Sequence, residues 1–186
     1  MIPVAIDPAV FAIAVAGRGG AALRRLGALR TGGAAHTLVF SDQPDEALWG
    51  AAGQALRPRL PTPRDMADLR VLWIVGLPDD LSARLAAQAR GARVLVNVED
   101  QPALCDFHSV AEIRRGDLLL TVSTSGASPG LAARIRARLE VQFGPEWAGR
   151  LALLRGHRAT WRRDRRGPAE IIALTDALLH ANGWLA

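Results

Sequence analysis

Gly17-Arg18-Gly19-Gly20-Ala21-Ala22 has the spacing G-x-G-x-x-A. Glycines at the fixed positions permit a tight turn and a close backbone approach, and a helix starting there aims free N–H groups and the positive end of its dipole at an anion. Pyrophosphate is the anion such turns hold, so these six residues are the candidate dinucleotide-binding turn. The arrangement asks for a carboxylate about 20 residues on, at the end of the next strand, to take the adenosine ribose hydroxyls. Asp42 stands there. It can serve the ribose, favouring NAD over NADP because a carboxylate repels a ribose phosphate, or it can open the next loop with Gln43, Pro44 and Asp45.

Two later segments place polar residues where apolar stretches close. Val96-Asn97-Val98-Glu99-Asp100 runs on through Gln-Pro-Ala-Leu to Cys105-Asp106-Phe107-His108. At the carboxyl end of a parallel strand, Asn97 and Asp100 would line the ligand crevice. There Asp100 can act as a general base or bind a metal, or it can solvate a loop or cap a helix. In Val122-Ser123-Thr124-Ser125-Gly126-Ala127-Ser128-Pro129, hydroxyls and a glycine precede a helix start, a pattern that binds an anion as readily as it caps the helix. Cys105 and His108 are too few ligands for a closed metal site, and no dedicated metal site is expected. His36, His157 and His180 are assigned to packing and surface roles.

These residues need a scaffold that brings strand ends together. Val10–Ala16, His36–Phe40, Val71–Val75 and Arg93–Asn97 read as strands, with helix-like stretches at Ala21–Arg30 and Leu81–Arg90. Such alternation predicts a parallel sheet flanked by helices. Arg57–Asp65, with three prolines, reads as a loop or short edge element. Beyond Asp100 one more strand is expected at Leu118–Val122. A helix then starts with Ser128 as N-cap and Pro129 at its first position. Gly144-Pro145 and Gly167-Pro168 divide the remainder into three helices, the last ending near Asn182-Gly183.

Composition narrows the classes. A chain of 186 residues with 49% hydrophobic and 22% charged residues can bury a real core, which excludes extensive disorder and low-complexity readings. One cysteine excludes a disulfide scaffold. The apolar run Val10–Ala16 is far below the roughly 20 residues of a membrane helix, so no membrane association and a cytoplasmic location are expected. All 23 basic residues are arginine, which rules out Schiff-base and P-loop lysine chemistry. Such usage fits a GC-rich genome or selection for carboxylate and phosphate binding. Ten of the arginines fall between Leu131 and Arg166 against Glu140, Glu146 and Asp164, a local excess of +7. It suits capture of an acidic substrate or a solvated helix surface. Nucleic-acid binding lacks a reading motif or an aromatic stacking platform.

The segments Val-Asn-Val-Glu-Asp100-x-Pro-x-x-Cys-Asp-Phe-His and Arg-Arg-Gly-Asp-Leu-Leu-Leu-Thr-Val-Ser-Thr-Ser-Gly-Ala-Ser-Pro-Gly-Leu-Ala together resemble the precorrin-2 dehydrogenase and sirohydrochlorin ferrochelatase family, the dehydrogenase module of sirohaem synthase. The resemblance runs over essentially the whole chain, from the glycine turn with its following Ala-Leu-Arg-Arg to the arginine-rich helices.

The resemblance implies an α/β fold: a Rossmann-type parallel sheet binding NAD over residues 1–105, a central dimerisation segment over 106–143, and a small C-terminal helical domain over 144–186. It implies NAD-dependent oxidation of precorrin-2 to sirohydrochlorin by a homodimer, followed in some members of the family by insertion of ferrous iron. Asp100 falls on the family's essential aspartate, a general base in dehydrogenation. Thr124 falls at a hydroxyl position contacting substrate, flanked by Ser123 and Ser125. Asn97 falls beside the cofactor, and Asp100 or His108 would help remove protons during metal insertion. Arginine forks suit the acetate and propionate groups of the tetrapyrrole. The chain departs from the family in having Gly76-Leu77-Pro78-Asp79-Asp80 where relatives usually carry Ala-Ala-Thr-Asp-Asp, and Val110 where many have proline. Gly76 thus takes a position on the cofactor wall. This departure sustains the alternative of a non-catalytic NAD- or tetrapyrrole-binding sensor.

Overall fold

The computed structural model describes residues 2–185. The chain divides into two compact units, Met1–Ser109 and Val110–Ala186.

The first unit is a five-stranded parallel sheet. Its strands are β1 (Ile13–Gly17), β2 (Leu38–Phe40), β3 (Leu56–Arg57), β4 (Val71–Val75) and β5 (Leu95–Val98), in the order β3-β2-β1-β4-β5. Every residue of β1 and β4 is buried, as expected for central parallel strands covered on both faces. Register places Val15 beside Val39 on one side and Trp73 on the other. Odd and even positions then feed separate cores. Ile13, Val15, Trp73 and Val75 pack with α1 (Gly19–Thr31) and α2 (Glu46–Ala52) through Ala22, Leu26, Leu48 and Ala52. Ala14, Ala16, Leu72 and Ile74 pack with α3 (Pro63–Asp68) and α4 (Asp79–Gly91) through Met66, Leu85, Ala86 and Ala89. Each fully buried Leu or Met contributes about 1.5–3 kcal/mol.

Several boundaries differ from the sequence expectation, among them that of β5, which runs over Leu95–Val98 rather than starting at Arg93. β1 starts at Ile13 because the amides of Val10 and Phe11 donate to the Asp7 carbonyl at 3.1 and 3.3 Å, closing a turn. β2 starts at Leu38 because the Thr37 hydroxyl donates to the Ala34 carbonyl at 2.7 Å. The proline-rich stretch yields the two-residue edge strand β3 and then α3, whose start is a reciprocal box between Thr62 and Asp65 with Pro63 in the first turn.

The second unit is a hairpin with three helices. β6 (Ala111–Arg115) pairs antiparallel with β7 (Leu118–Val122). The strand expected at Leu118–Val122 forms over those residues as β7, within this hairpin. β6 went unread because its half-buried surface carries Glu112, Arg114 and Arg115, and only Ile113 is buried. Helices α5 (Pro129–Gln142), α6 (Trp147–Arg163) and α7 (Pro168–Ala181) follow, divided at Gly144-Pro145 and Gly167-Pro168 as expected. Ser128 caps α5, its hydroxyl accepting from the Leu131 amide at 3.2 Å. The Arg150 guanidinium lies over the Trp147 and Trp184 rings, 5.0 and 5.4 Å from their centroids. Among the described residues, no helix is long and apolar enough to cross a membrane.

Candidate active site

Parallel pairing puts the carboxyl ends of β1, β2, β4 and β5 on one edge of the sheet. Gly17, Asp42, Gly76 and Asp100 each end or follow one of those strands. This edge is where an open α/β sheet presents its crevice.

The glycine turn is shaped by close approach. A Cβ on Gly17 would sit 2.2 Å from the Val75 carbonyl oxygen, so β1 reaches β4 only with glycine there. Gly76 has φ +62, and a Cβ on it would meet the Arg18 carbonyl oxygen at 2.8 Å and the Ala21 Cβ at 3.1 Å. The departure at Gly76 therefore lets the segment after β4 press directly on the turn. Gly19, at φ +55, faces open space: nothing lies within 4 Å of its Cβ position. No side chain caps α1, and the first backbone bond to the turn runs from the Ala22 amide to the Arg18 carbonyl at 3.4 Å. The amides of Gly19, Gly20 and Ala21 thus open a helix dipole beside the clear face of Gly19, with the Arg24 Nη1 3.3 Å from the Cβ position of Gly20. That cradle fits a pyrophosphate.

Asp42 and Asp45 divide the two roles that the sequence left open. The Asp45 carboxylate caps α2, accepting from the Leu48 amide at 2.8 Å. Asp42 is joined to the glycine turn: Arg18 Nε and Nη2 donate to its two oxygens at 2.8 and 2.6 Å. The Arg18 bonds hold the Asp42 carboxyl below its usual pKa, against a smaller opposing effect of burial. Each carboxylate oxygen keeps a lone pair for a ribose hydroxyl.

At the end of β5 the two polar residues also separate. Asn97 is 6% exposed and its amide nitrogen donates to the Phe107 carbonyl at 2.9 Å, pinning the returning segment beside Trp73. Asp100 is exposed, in the left-handed backbone region at φ +61, and no hydrogen bond occupies its carboxylate among the described residues. Aspartate tolerates that conformation, and a residue held there is often one whose chemistry is used. His108 is also exposed. The Cys105 thiol turns inward, donating toward the Val98 carbonyl at 3.2 Å and accepting from the Val98 amide at 3.2 Å. Among the described residues no group of three or more His, Cys, Asp or Glu is placed to hold a metal.

Arg25 was not singled out from the sequence. It lies on the inward stripe of α1 with Ala22 and Leu26, where arginine is unusual, and that placement was the available signal. Its Nη1 donates to the Ser109 hydroxyl at 3.1 Å and its Nη2 lies 3.9 Å from Glu99, the neighbour of Asp100. Burial lowers its pKa, with Glu99 opposing. Arg25 therefore ties the helix behind the glycine turn to the turn bearing Asp100.

Ser123, Thr124 and Ser125 belong to the second unit, in the loop between β7 and α5. The Thr124 hydroxyl closes this loop, donating to the Ser128 carbonyl at 3.0 Å and accepting from the Ser128 amide at 3.2 Å. The Ser123 hydroxyl accepts from the Ser125 amide at 3.2 Å. Ser125 has φ +53 and its side chain is exposed.

Residues 4–111 match a family model described as putative NAD(P)-binding, and residues 115–142 match one described as sirohaem biosynthesis protein central. Among curated proteins, the chain is 34% identical to the siroheme synthase of Methylococcus capsulatus across 86% of its own length and 37% of that protein. It is 38% identical to the siroheme synthase of Thioalkalivibrio sulfidiphilus across 77% of its length and 30% of the relative. The chain thus spans about a third of the length of these curated relatives. A solved structure titled SirC, precorrin-2 dehydrogenase, superposes with a TM-score of 0.76 at 23% identity, covering 100% of this chain and 93% of that one. The fold is shared over the full length.

Proposed function

Because the chain belongs to the putative NAD(P)-binding family and carries a sirohaem biosynthesis central segment after it, we propose that it is an NAD-dependent dehydrogenase that oxidises precorrin-2 to sirohydrochlorin. The observation that carries this reading is the uncapped start of α1, open at Gly19, on the same sheet edge as the unpaired carboxylate of Asp100. NAD bound there supplies the hydride acceptor. The amides of Gly19, Gly20 and Ala21 hold its pyrophosphate, Asp42 accepts from ribose hydroxyls, and Gly76 forms the wall against the turn. Asn97 keeps the segment from Cys105 to Phe107 folded back beside β5. Removal of two hydrogens from the substrate leaves one proton to be taken, and an Asp100 oxygen is the acceptor.

Ser123, Thr124, Ser125 and His108 are assigned to the tetrapyrrole. Ferrous iron as a second substrate fits the same assignment, with Asp100 or His108 accepting protons from the ring nitrogens. A homodimer formed through the segment 106–143 is supported by the sparse core of the second unit. There only Ile113, Ala132 and Trp147 are buried hydrophobics among the described residues. NAD chemistry and a free thiol suit a cytoplasmic location.

The test is anaerobic, with purified chain, precorrin-2 and NAD, following the visible spectrum for sirohydrochlorin and then adding ferrous iron. NAD-dependent product formation above the protein-free control is expected. Asp100→Asn keeps the left-handed turn and should lower turnover at least about a hundredfold. Turnover near wild type in that variant would remove Asp100 from the reaction. NAD binding without any turnover of the wild type would favour the non-catalytic sensor.

A further inference from the structure

The α6–α7 pair in the second unit borders an open cleft of about 680 Å³, a size suited to a small-molecule ligand. Leu151, Leu154, Ile171 and Ile172 give it an apolar floor. α7 buries none of its residues, and Ile172 is 63% exposed. One wall is a stripe of cations. Arg155, Arg158 and Arg162 recur at i, i+3 and i+7 and so share a face of α6, and Arg166 follows the helix. Asp176 is the one acid in the lining. Arg155 pairs with Asp117, and Arg166 pairs with Glu170 at 2.5 Å. Arg158 and Arg162 have no acidic partner among the described residues.

We infer that this cleft is a binding site for an amphipathic ring molecule bearing several carboxylates, the chemical class of the tetrapyrroles. Apolar side chains take the macrocycle, and guanidinium forks take carboxylates bidentately. A nucleic acid would find no aromatic side chain to stack on in this lining. A second copy docked face to face by a two-fold axis would set the same arginine stripe against itself. The assignment of ligand class rests on the proposed tetrapyrrole substrate.

The test titrates the full chain with uroporphyrin, an octacarboxylated porphyrin already fully oxidised, and follows porphyrin fluorescence. Arg158→Glu with Arg162→Glu should weaken binding about tenfold or more, and the milder pair Arg158→Gln with Arg162→Gln should fall between that variant and wild type. Arg134→Glu, on exposed α5 surface away from the lining, should bind like wild type, and NAD affinity should hold in all variants. Absence of wild-type binding, or equal affinity in wild type and the double Glu variant, overturns the inference. So does a changed sedimentation mass in that variant, which would make the cleft a contact between copies. The dehydrogenase assay keeps the two readings apart. Precorrin-2 oxidation without cleft-dependent uroporphyrin binding overturns the cleft alone, whereas cleft-dependent binding without oxidation overturns the dehydrogenase alone.

Discussion

Gly19→Ala separates what the glycine turn does for the fold from what it does for a cofactor. The backbone there has φ +55, so an alanine costs about 1–2 kcal/mol in the left-handed region. The added Cβ meets nothing within 4 Å, so no clash adds to that cost. For a chain of this size the melting temperature should fall by about 2–8 °C. Binding should suffer more, because the methyl group fills the space through which a pyrophosphate would reach the amides of Gly19, Gly20 and Ala21. Loss of one charge-assisted bond, about 1.5–3 kcal/mol, raises the Kd for NAD roughly 10- to 150-fold. Gly27→Ala is the control, since its Cβ also meets open space but lies in the helix interior. It should stabilise by about 0.5–1 kcal/mol and leave NAD affinity alone. Gly76→Ala cannot make this distinction, because its Cβ would push on the Arg18 carbonyl and disturb fold and site together. Calorimetric titration with NAD and thermal melts supply both readouts. Wild-type affinity in Gly19→Ala, with the expected drop in melting temperature, would refute the turn as the cofactor cradle.

Asp42→Asn frees the Arg18 guanidinium from its bidentate partner. NADP should gain and NAD lose affinity, a swing of about tenfold or more in parallel titrations, and an unchanged ratio would count against Asp42 as the ribose ligand. Asp65 is held well below the usual carboxylate range first by Arg59, at 2.7 and 2.9 Å, with the Thr62 hydroxyl and amide adding to it against a desolvation cost. Its ionised form therefore favours folding above about pH 4, and that contribution fades as pH falls from there toward the depressed folded value. Asp65→Ala should cost about 1 kcal/mol at pH 7 through the lost box and should flatten the acid limb of stability, as read by urea unfolding at several pH values. An acid limb identical to wild type would show that this carboxyl does not carry it. Sedimentation equilibrium should give twice the chain mass, and a monomer at working concentration would contradict dimerisation through the second unit.

Much of the scaffold is legible locally. Central parallel strands are covered on both faces, so Val71–Val75 reads as an unbroken apolar run, and it forms the strand over those same residues. Ser128 and Pro129 mark a helix start through the chemistry of two adjacent residues, and the glycine turn announces itself in six. The charged strand β6 escaped such reading because a half-buried hairpin with one buried residue has no apolar run to display.

What the sequence alone determined, then, is the alternation of elements, the turn chemistry and the identity of the polar residues that close the strands. Only the tertiary structure decided their partners. Arg18 and Asp42 are 24 residues apart, and Arg25 and Ser109 are 84 apart. They meet because the strand order β3-β2-β1-β4-β5 stacks distant strand ends along one edge. Strand order also turned Asn97 inward to hold Phe107 while leaving Asp100, three residues later, exposed in a left-handed turn. Local propensity sets which residues form strands and helices, but which side chains share an edge depends on long-range pairing that no stretch of sequence encodes by itself.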